Sequence, residues 1–256
     1  MAGTYVRALS LSHFRSHRRA AMALDGRPVA LFGPNGAGKT NILEAVSLLS
    51  PGRGLRRAAA EEMARRPEAL GWKVKAELVT GGRFHEIQIG AEAGQSRSLK
   101  IDGKPEPQLA LAGLARIVWL IPAQDRLWIE GAEGRRRFLD RIALSFDPSH
   151  AEASLTYEKS MRERNRLLKG QVRDAHWYAA LEGQMAETGH RIHAARLAAL
   201  DHLRAAQEQA ETAFPSADLE LVQSEGAMPD TADDLREALN ESRFRASLRT
   251  GRRPAC

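Results

Sequence analysis

A glycine-rich segment of eight residues carries the clearest chemical signal in the sequence. Residues 33–40 read GPNGAGKT and satisfy the pattern G-x-x-x-x-G-K-[ST] at every fixed position. In such a loop the backbone turns its N–H groups toward phosphate oxygens, and the following helix adds the positive end of its dipole. Lys39 would reach the β- and γ-phosphates of a nucleotide, and the Thr40 hydroxyl would bind Mg²⁺. The pattern predicts nucleotide binding by Gly33, Pro34, Asn35, Gly36, Ala37, Gly38, Lys39 and Thr40.

ATP is the nucleotide expected at this loop, because no segment resembling the guanine-reading N-K-x-D pattern follows it. Hydrolysis would also need a carboxylate at the end of a strand, where it holds Mg²⁺ and orients water. Residues 117–121 are apolar, but Pro-Ala-Gln-Asp follows them, and residues 138–140 are too short and too helical for such a strand. No catalytic residue is therefore assigned, and enzymatic activity is left open.

The loop must be positioned by a strand before it and a helix after it. Residues 29–32 read as a short buried strand, and residues 41–49 place Ile42, Leu43, Val46 and Leu49 at helical spacing. A charged helical piece is expected up to about residue 67. Residues 72–79, 84–89 and 99–103 then alternate between apolar and polar side chains, with glycine turns between them, which predicts an antiparallel meander. Another apolar strand is expected at residues 114–121.

The second half of the chain has a helical character. A short amphipathic helix is predicted at residues 135–146. Residues 148–213 contain no proline after Pro148 and little glycine, which favours two or three long helices, one with Ile192, Ala195, Ala199 and Leu203 on a face. A strand at 219–222 and a helix at 230–240 are expected to follow. The predicted domains are residues 1–147, 148–213 and 214–256.

The net charge of +6 gives little support to DNA binding by itself. Five arginines without a carboxylate lie in residues 242–256, so most of the excess positive charge belongs to the last fifteen residues. The only cysteine is Cys256, which excludes an internal disulfide and a cysteine-based metal site. The sequence has neither a signal-peptide pattern nor a long apolar run, so a soluble, cytoplasmic protein without membrane association is expected.

Further short motifs accompany the loop in a fixed order. Residues 11–16 read LSHFRS, and residues 41–45 continue the loop as NILEA. Later motifs are PGRGLR at 51–56, PAQD at 122–125, RRRFLD at 135–140, and the spaced Tyr157, Arg164, Asn165 and Leu168. Together they resemble the RecF family of DNA replication and repair proteins, relatives of SMC and ABC-type ATPase heads, over about residues 6–245. The resemblance implies an α/β fold: a P-loop ABC-type ATPase head, whose mixed sheet contains an antiparallel meander, with an inserted helical arm.

The same resemblance implies an ATP-controlled switch in DNA repair. Such heads form a homodimer around two ATP molecules, bind DNA at single-stranded gaps or junctions, and support recombinational repair and SOS induction with other recombination mediators. In that scheme Lys39, Thr40 and Asn41 contact ATP and Mg²⁺, Arg15 lies near the nucleotide, and Gln124 senses the γ-phosphate or binds Mg²⁺. Residues 148–213 would form the arm. Its arginines, Arg162, Arg164, Arg166 and Arg173, are expected on a solvated face, with contact to DNA as the alternative.

Two departures from the family pattern bear on activity. Family members continue beyond the matching residues with a signature loop, an acidic Mg²⁺-binding strand and a switch histidine, and residues 245–256 do not resemble the family's G-P-H-[RK] segment. We therefore expect a truncated chain that lacks the hydrolytic half. Two alternatives stay open. One is a nucleotide-binding module without catalysis, and the other is a P-loop small-molecule kinase, against which the alternating residues 72–103 argue.

Overall fold

The chain folds into two compact units, Met1–Asp125 and Arg126–Cys256. The computed structural model describes residues 3–68, 70–223 and 227–250, with side chains described as far as Arg243. Residues 251–256, the end of the arginine-rich segment, therefore lie outside the described residues. Helix α3 (Ala132–Phe146) packs against the later helix α5 (Ala175–Glu208) and so groups with the second unit, although the sequence analysis assigns residues 1–147 to one domain.

An antiparallel sheet of six strands dominates the first unit. Its strand order is β2-β1-β3-β4-β5-β6. Helices α1 and α2 lie between β2 and β3 in the sequence, and 3-10 turns at Gln108–Gly113 and Pro122–Arg126 follow β6. The predicted meander is confirmed. The elements are β1 (Tyr5–Phe14), β2 (His17–Ala23), α1 (Lys39–Ser47), α2 (Ala60–Met63), β3 (Trp72–Thr80), β4 (Arg83–Ala91), β5 (Ser98–Ile101) and β6 (Lys104–Pro105).

One face of this sheet is buried beneath α1. Along β3 every second residue from Trp72 to Leu78 is buried, because successive side chains of a strand point to opposite faces. Apolar side chains of β1, β4 and β5 join Ala45 of α1, and Leu48 and Leu49 just after it, in one core. Phe14 packs edge-on against Trp72 with the ring centroids 5.4 Å apart. Helix α1, which follows the glycine-rich loop, thus rests on an apolar layer.

Three predicted strands do not form in the described residues. Residues 29–32 and 114–121 are irregular or turn-like, as are residues 219–222. Val29 is 56% exposed and Phe32 is 94% exposed, so the run before the loop is not a buried strand. A strand is stable only where neighbouring strands accept and donate its backbone hydrogen bonds, and no described strand pairs with these runs. The helical piece expected up to residue 67 is confined to α2.

Helices make up the second unit, as the sequence predicts. Helix α4 (Ser149–Lys169) packs against α5, and α6 (Ala232–Thr250) packs against both. The Asp174 carboxylate accepts hydrogen bonds from the N–H groups of His176 and Trp177 and so caps α5. Ile192 and Ala199 are buried, which confirms the face predicted for the long helix. Among the described residues, no helix is long and apolar enough to span a membrane.

Arg164 does not belong to a solvated face. Its side chain is 9% exposed, and its Nε donates to the Glu182 carboxylate at 2.9 Å. Its Nη2 also donates to the Leu239 carbonyl and to the Ser242 hydroxyl, both on α6. Arg243 supplies a second cation to Glu182. The expectation that Arg164 lies on a solvated face was therefore wrong. Arg164 connects α6 to α4 and α5, and Glu182 supplies the charged partner that a buried cation needs.

A half-buried ion pair between α3 and α5, Asp140 with Arg196, gives a testable pH dependence. The Asp140 carboxylate accepts hydrogen bonds from Arg196 at 2.7 and 2.9 Å and from His150 at 3.1 Å. Burial works to raise the pKa of Asp140, but the hydrogen bonds from His150 and Arg196 outweigh it and hold that pKa below its usual value. A carboxyl whose pKa is lowered by folding stabilises the protein above its unfolded pKa of about 3.9, and this contribution is lost as the pH falls further.

We therefore expect Asp140→Asn to lower the free energy of unfolding by about 1–3 kcal/mol at neutral pH. The difference from the wild type should shrink on acidification through about pH 4 and below. Urea unfolding over a pH series measures both effects, with the exposed Asp201→Asn as the matched control. A pH-independent difference would contradict the assigned role of the ionised carboxylate.

Candidate nucleotide-binding site

The glycine-rich loop runs directly into the first turn of α1. Helix α1 begins at Lys39, and Gly38 is its N-cap with φ 91°, a left-handed conformation that favours glycine. Residues 33–37 are exposed, and Lys39 is partly exposed at the point where the loop meets the helix. The order of loop, lysine and helix that the pattern predicts is therefore present, although no strand precedes it.

The Lys39 ammonium group is folded back onto its own loop. Its Nζ donates to the Gly33 carbonyl at 2.7 Å and to the Pro34 carbonyl at 2.8 Å. Both bonds are exposed to solvent. They hold the cation over the loop, where a bound phosphate group would meet it. Phosphate oxygens are stronger acceptors than neutral carbonyls, so the ammonium group can exchange these partners for a ligand at little cost.

The backbone around Lys39 supplies further donors. No side chain caps the start of α1 and no acidic residue lies in its first turn. Among the described residues, the N–H groups of Gly38, Lys39 and Thr40 donate to no acceptor, whereas those of Asn41 and Ile42 bond to the Gly38 carbonyl. Uncapped amides and the helix dipole favour an anion at this end. The arrangement fits the triphosphate of a nucleotide.

Gly38 is also required by its neighbours. A Cβ at this position would lie 2.7 Å from His17 Cε1 and 2.8 Å from Ser16 Oγ. His17 Nε2 lies 3.1 Å from the Gly38 carbonyl oxygen, so the β1–β2 turn touches the loop directly. Both the positive φ and the close approach exclude a side chain here.

We expect Gly38→Ala to weaken nucleotide binding by at least about tenfold, because the left-handed conformation costs about 1–2 kcal/mol and the contact with His17 must also open. Gly81→Ala is the matched control, since Gly81 has φ 56° but a Cβ there would meet nothing within 4 Å. Equilibrium binding of a fluorescent ATP analogue measures the difference. Equal affinities of the two variants would contradict the steric argument.

Glu44 is a buried carboxylate at the centre of the site. It lies on α1, and its side chain is fully buried. Arg15 donates two hydrogen bonds to its carboxylate, at 2.9 and 2.6 Å. Arg56 donates to the same carboxylate. A third donor group of Arg15 reaches the Glu62 carbonyl. The two arginines neutralise the buried charge and join the β1–β2 turn, α1 and the segment after it into one network.

Asn41 connects this network to an open cleft. Its amide nitrogen donates to Ser16 Oγ at 2.7 Å, and its amide oxygen accepts from Arg56 at 2.8 Å. Arg15, Ser16, Asn41 and Arg56 line a cleft of about 640 Å³ next to the start of α1. The structure therefore places Arg15 and Asn41 on one cleft, and their contacts with a nucleotide stay predictions.

Gln124 and Thr40 are not brought together by any described contact. The Gln124 side-chain oxygen accepts from the Ile121 N–H at 2.7 Å and closes its own 3-10 turn. Thr40 is exposed in the first turn of α1. The roles predicted for both residues in Mg²⁺ binding stay predictions.

Glu44, Arg56 and His17 are site residues that the sequence does not predict. Helical spacing placed Leu43 on the apolar face of α1, but Leu43 is 51% exposed, whereas Glu44 is buried. A local signal was the carboxylate of Glu44 between apolar residues of the predicted helix, whereas the arginines at 15 and 56 lie far from it in the sequence. The pairing depends on contacts between residues distant in sequence, which spacing alone does not reveal.

Comparison with known folds agrees with this geometry. The family model of the AAA domain matches residues 8–77. A solved structure described as the recombination mediator protein RecF-ATP in the RecFOR pathway superposes with a TM-score of 0.79 at 22% identity, over 96% of this chain and 69% of that chain. A second, described as RecF-ATPrS, gives a TM-score of 0.76 at 22% identity, over 95% and 70%. The fold and the loop define a P-loop protein of the α/β class, with an antiparallel sheet and a helical unit, and the predicted fold class is confirmed.

Sequence relatives identify the family. The chain is 44% identical to the DNA replication and repair protein RecF of Rhizobium etli over 93% of its length, and 43% identical to that of Rhizobium rhizogenes over 94%. It spans about two thirds of the length of these relatives, 66% and 67%. The chain belongs to the RecF family of DNA replication and repair proteins.

Proposed function

We propose that this chain is the ATP-binding part of a DNA replication and repair protein. The observation that carries the proposal is the pairing of a mobile ammonium group at Lys39 with unpaired N–H groups at the start of α1. Thr40 and the loop would hold Mg²⁺ with the phosphates, and the ion would neutralise phosphate charge. This function is supported by the relatives, which are DNA replication and repair proteins, and by the similar solved structure, which is of RecF-ATP.

We further propose that ATP controls a dimer that binds DNA at single-stranded gaps or junctions, with other recombination mediators as partners. In that state Arg15 would lie beside the nucleotide while Glu44 holds its guanidinium group. Gln124 would have to release the Ile121 N–H before it could reach a γ-phosphate or Mg²⁺. Support for recombinational repair and SOS induction follows from the same family scheme.

ATP binding and DNA binding are tested together on the full chain. We expect ATP with Mg²⁺ to raise the affinity for gapped DNA and to shift the sedimentation coefficient toward a dimer, since binding and assembly are reciprocally linked. Lys39→Ala should abolish both effects while leaving the far-ultraviolet circular dichroism unchanged. ATP affinity without any change in DNA binding or assembly would overturn the switch and leave nucleotide binding standing.

A nucleotide-binding module without turnover is the second candidate. The buried acid beside the loop, Glu44, is neutralised by two arginines and so is not free to orient a water molecule. In this case ATP would raise the unfolding temperature, and phosphate release would stay at the background rate. Steady release of phosphate that Lys39→Ala removes would exclude this candidate. The antiparallel strands that follow the loop disfavour the kinase alternative, which needs parallel β-α-β units.

A further inference from the structure

The sheet face opposite the core has a strongly basic end. Cross-strand pairing places Arg19 opposite Ser12, Ser12 opposite Lys73, and Lys75 opposite Gln88, which in turn pairs with Lys100. Directly paired residues of antiparallel strands point to the same face. We call the surface formed by Arg19, Lys73, Lys75 and Lys100, with Ser12, Gln88 and Ser98 between them, the basic sheet face.

The four cations of the basic sheet face are free to meet a ligand. All four side chains are exposed. Among the described residues, none of them forms an ion pair or a side-chain hydrogen bond, although many other arginines of the chain do. On the opposite face of the sheet, the same strands bury Leu11, Val74, Ile89 and Leu99 in the core. The cations therefore project from a rigid layer, and burial of the opposite face fixes their register.

A cavity lies beside two of these cations, Lys73 and Lys100. The cavity has a volume of about 540 Å³ and is lined by Ser12, Lys73, Gln88, Gly90, Ser98 and Lys100 among others. Gly90 pairs with Lys73 and lies beside Ser98, so no side chain rises between the two lysine-bearing strands at this point. A Cβ at Gly90 would lie 2.6 Å from the Trp72 carbonyl oxygen. One carboxylate, that of Glu92, also lines the cavity.

Charge is segregated along this face. Glu77 and Glu86 are directly paired at the other end, and Arg7 lies 3.9 Å from Glu77. An extended anion would be attracted to the basic end and repelled from the acidic end. The charge of this face therefore changes from positive to negative along the strands.

The spacing of the cations selects the chemistry of the partner. Lys75 and Lys100 are separated by two strand spacings, about 9–10 Å, and the patch extends over about 19 Å from β2 to β5. A small anion cannot touch cations so far apart, whereas a polymer with a phosphate at short intervals can touch all of them. Trp72 and His13 line the cavity, but Trp72 is only 5% exposed and His13 is half-buried. The residues of the basic sheet face itself include no aromatic side chain, so they do not form the open stacking platform typical of single-strand binders. These features favour the backbone of duplex DNA.

We propose that the basic sheet face binds the phosphate backbone of duplex DNA, a proposal that rests on the DNA binding proposed above and assigns it a surface. Lysines and the arginine contact phosphates, and Ser12, Ser98 and Gln88 donate hydrogen bonds to the same backbone. Such contacts position DNA without reading its sequence. In gapped or branched DNA, this face binds the duplex segment next to the gap or junction.

The test uses the full chain with a labelled blunt duplex and a labelled single strand, at several salt concentrations. We expect Lys73→Gln/Lys75→Gln/Lys100→Gln to weaken duplex binding at least about tenfold and to reduce the slope of log affinity against log salt by about three. The matched control is Lys104→Gln/Lys159→Gln/Lys169→Gln, which removes three exposed lysines that do not belong to the face. ATP affinity should be the same in all three proteins.

A second variant keeps the proposal testable if the triple variant fails to fold. Glu77→Gln/Glu86→Gln removes the repulsive end and is expected to tighten duplex binding several-fold without affecting ATP. Unchanged duplex affinity and salt slope in the triple variant would overturn this surface while leaving DNA binding by the protein intact. Loss of single-strand binding only would overturn the assignment to duplex. A wild-type chain that binds neither DNA would overturn the proposed function as well.

Discussion

Replacing Lys39 with alanine is expected to remove most of the affinity for ATP. The ammonium group would make charge-assisted bonds to two phosphate groups, each worth about 1.5–3 kcal/mol, so the loss should reach at least about 100-fold. In the free protein Lys39 bonds only to two exposed carbonyls of its own loop. Its removal should therefore leave the unfolding temperature nearly unchanged. Isothermal titration with Mg²⁺-ATP measures the affinity, and thermal unfolding measures the stability.

Lys104→Ala is the control for the lost charge. Lys104 is exposed on β6 and forms no described contact of its side chain, so this variant should bind ATP as the wild type does. Lys39→Arg distinguishes the effect of the charge from the effect of the side-chain shape. It keeps the positive charge, but a planar guanidinium group does not replace a compact ammonium group inside the loop. Equal ATP affinity of the wild type and Lys39→Ala would contradict the assigned site.

Replacing Glu44 with glutamine is expected to destabilise the first unit by about 3–5 kcal/mol. Removal of one partner of a buried ion pair leaves the remaining charges without compensation, and here two arginines lose the same carboxylate. Because the chain has two units, a single unfolding midpoint would mix their stabilities. Amide hydrogen exchange of β1 and α1 measures the first unit directly, and their protection should fall while that of α5 is kept.

Two variants check the interpretation of the Glu44 result. Glu61→Gln removes an exposed carboxylate of α2 and should leave the exchange rates unchanged. Arg15→Gln combined with Glu44→Gln should destabilise less than the sum of the two single changes, because both remove one interaction. Additive effects would show that Glu44 and Arg15 do not depend on each other.

Local patterns predicted much of the fold because local physics decides those parts. The alternation in residues 72–79 and 84–89 required a half-buried sheet, and the absence of proline after Pro148 favoured the long helices α4 and α5. Gly38 followed from the loop pattern, since the left-handed conformation of this N-cap favours glycine. These features need only neighbouring residues to be recognised.

The sequence was misleading where an element depends on distant partners. Residues 29–32 have the composition of a strand, but no described strand pairs with them, and they stay exposed. Arg164 lies in a run of charged residues on α4, yet its partner is Glu182 on the next helix. Hydrogen bonds between strands and ion pairs between helices are decided by tertiary packing, which local periodicity does not encode.

By itself the sequence determined the P-loop and the order of the motifs, because glycine conformations and a lysine at the start of a helix are local requirements. Only the tertiary structure decided that Glu44 is buried between Arg15 and Arg56, and that lysines from β3 and β5 share one open face. The physical reason is the same in both cases. Charged residues far apart in the sequence form a site only after folding. The packing of α1 brings Glu44 within hydrogen-bond distance of Arg15 and Arg56, and the sheet register places the lysines on one surface.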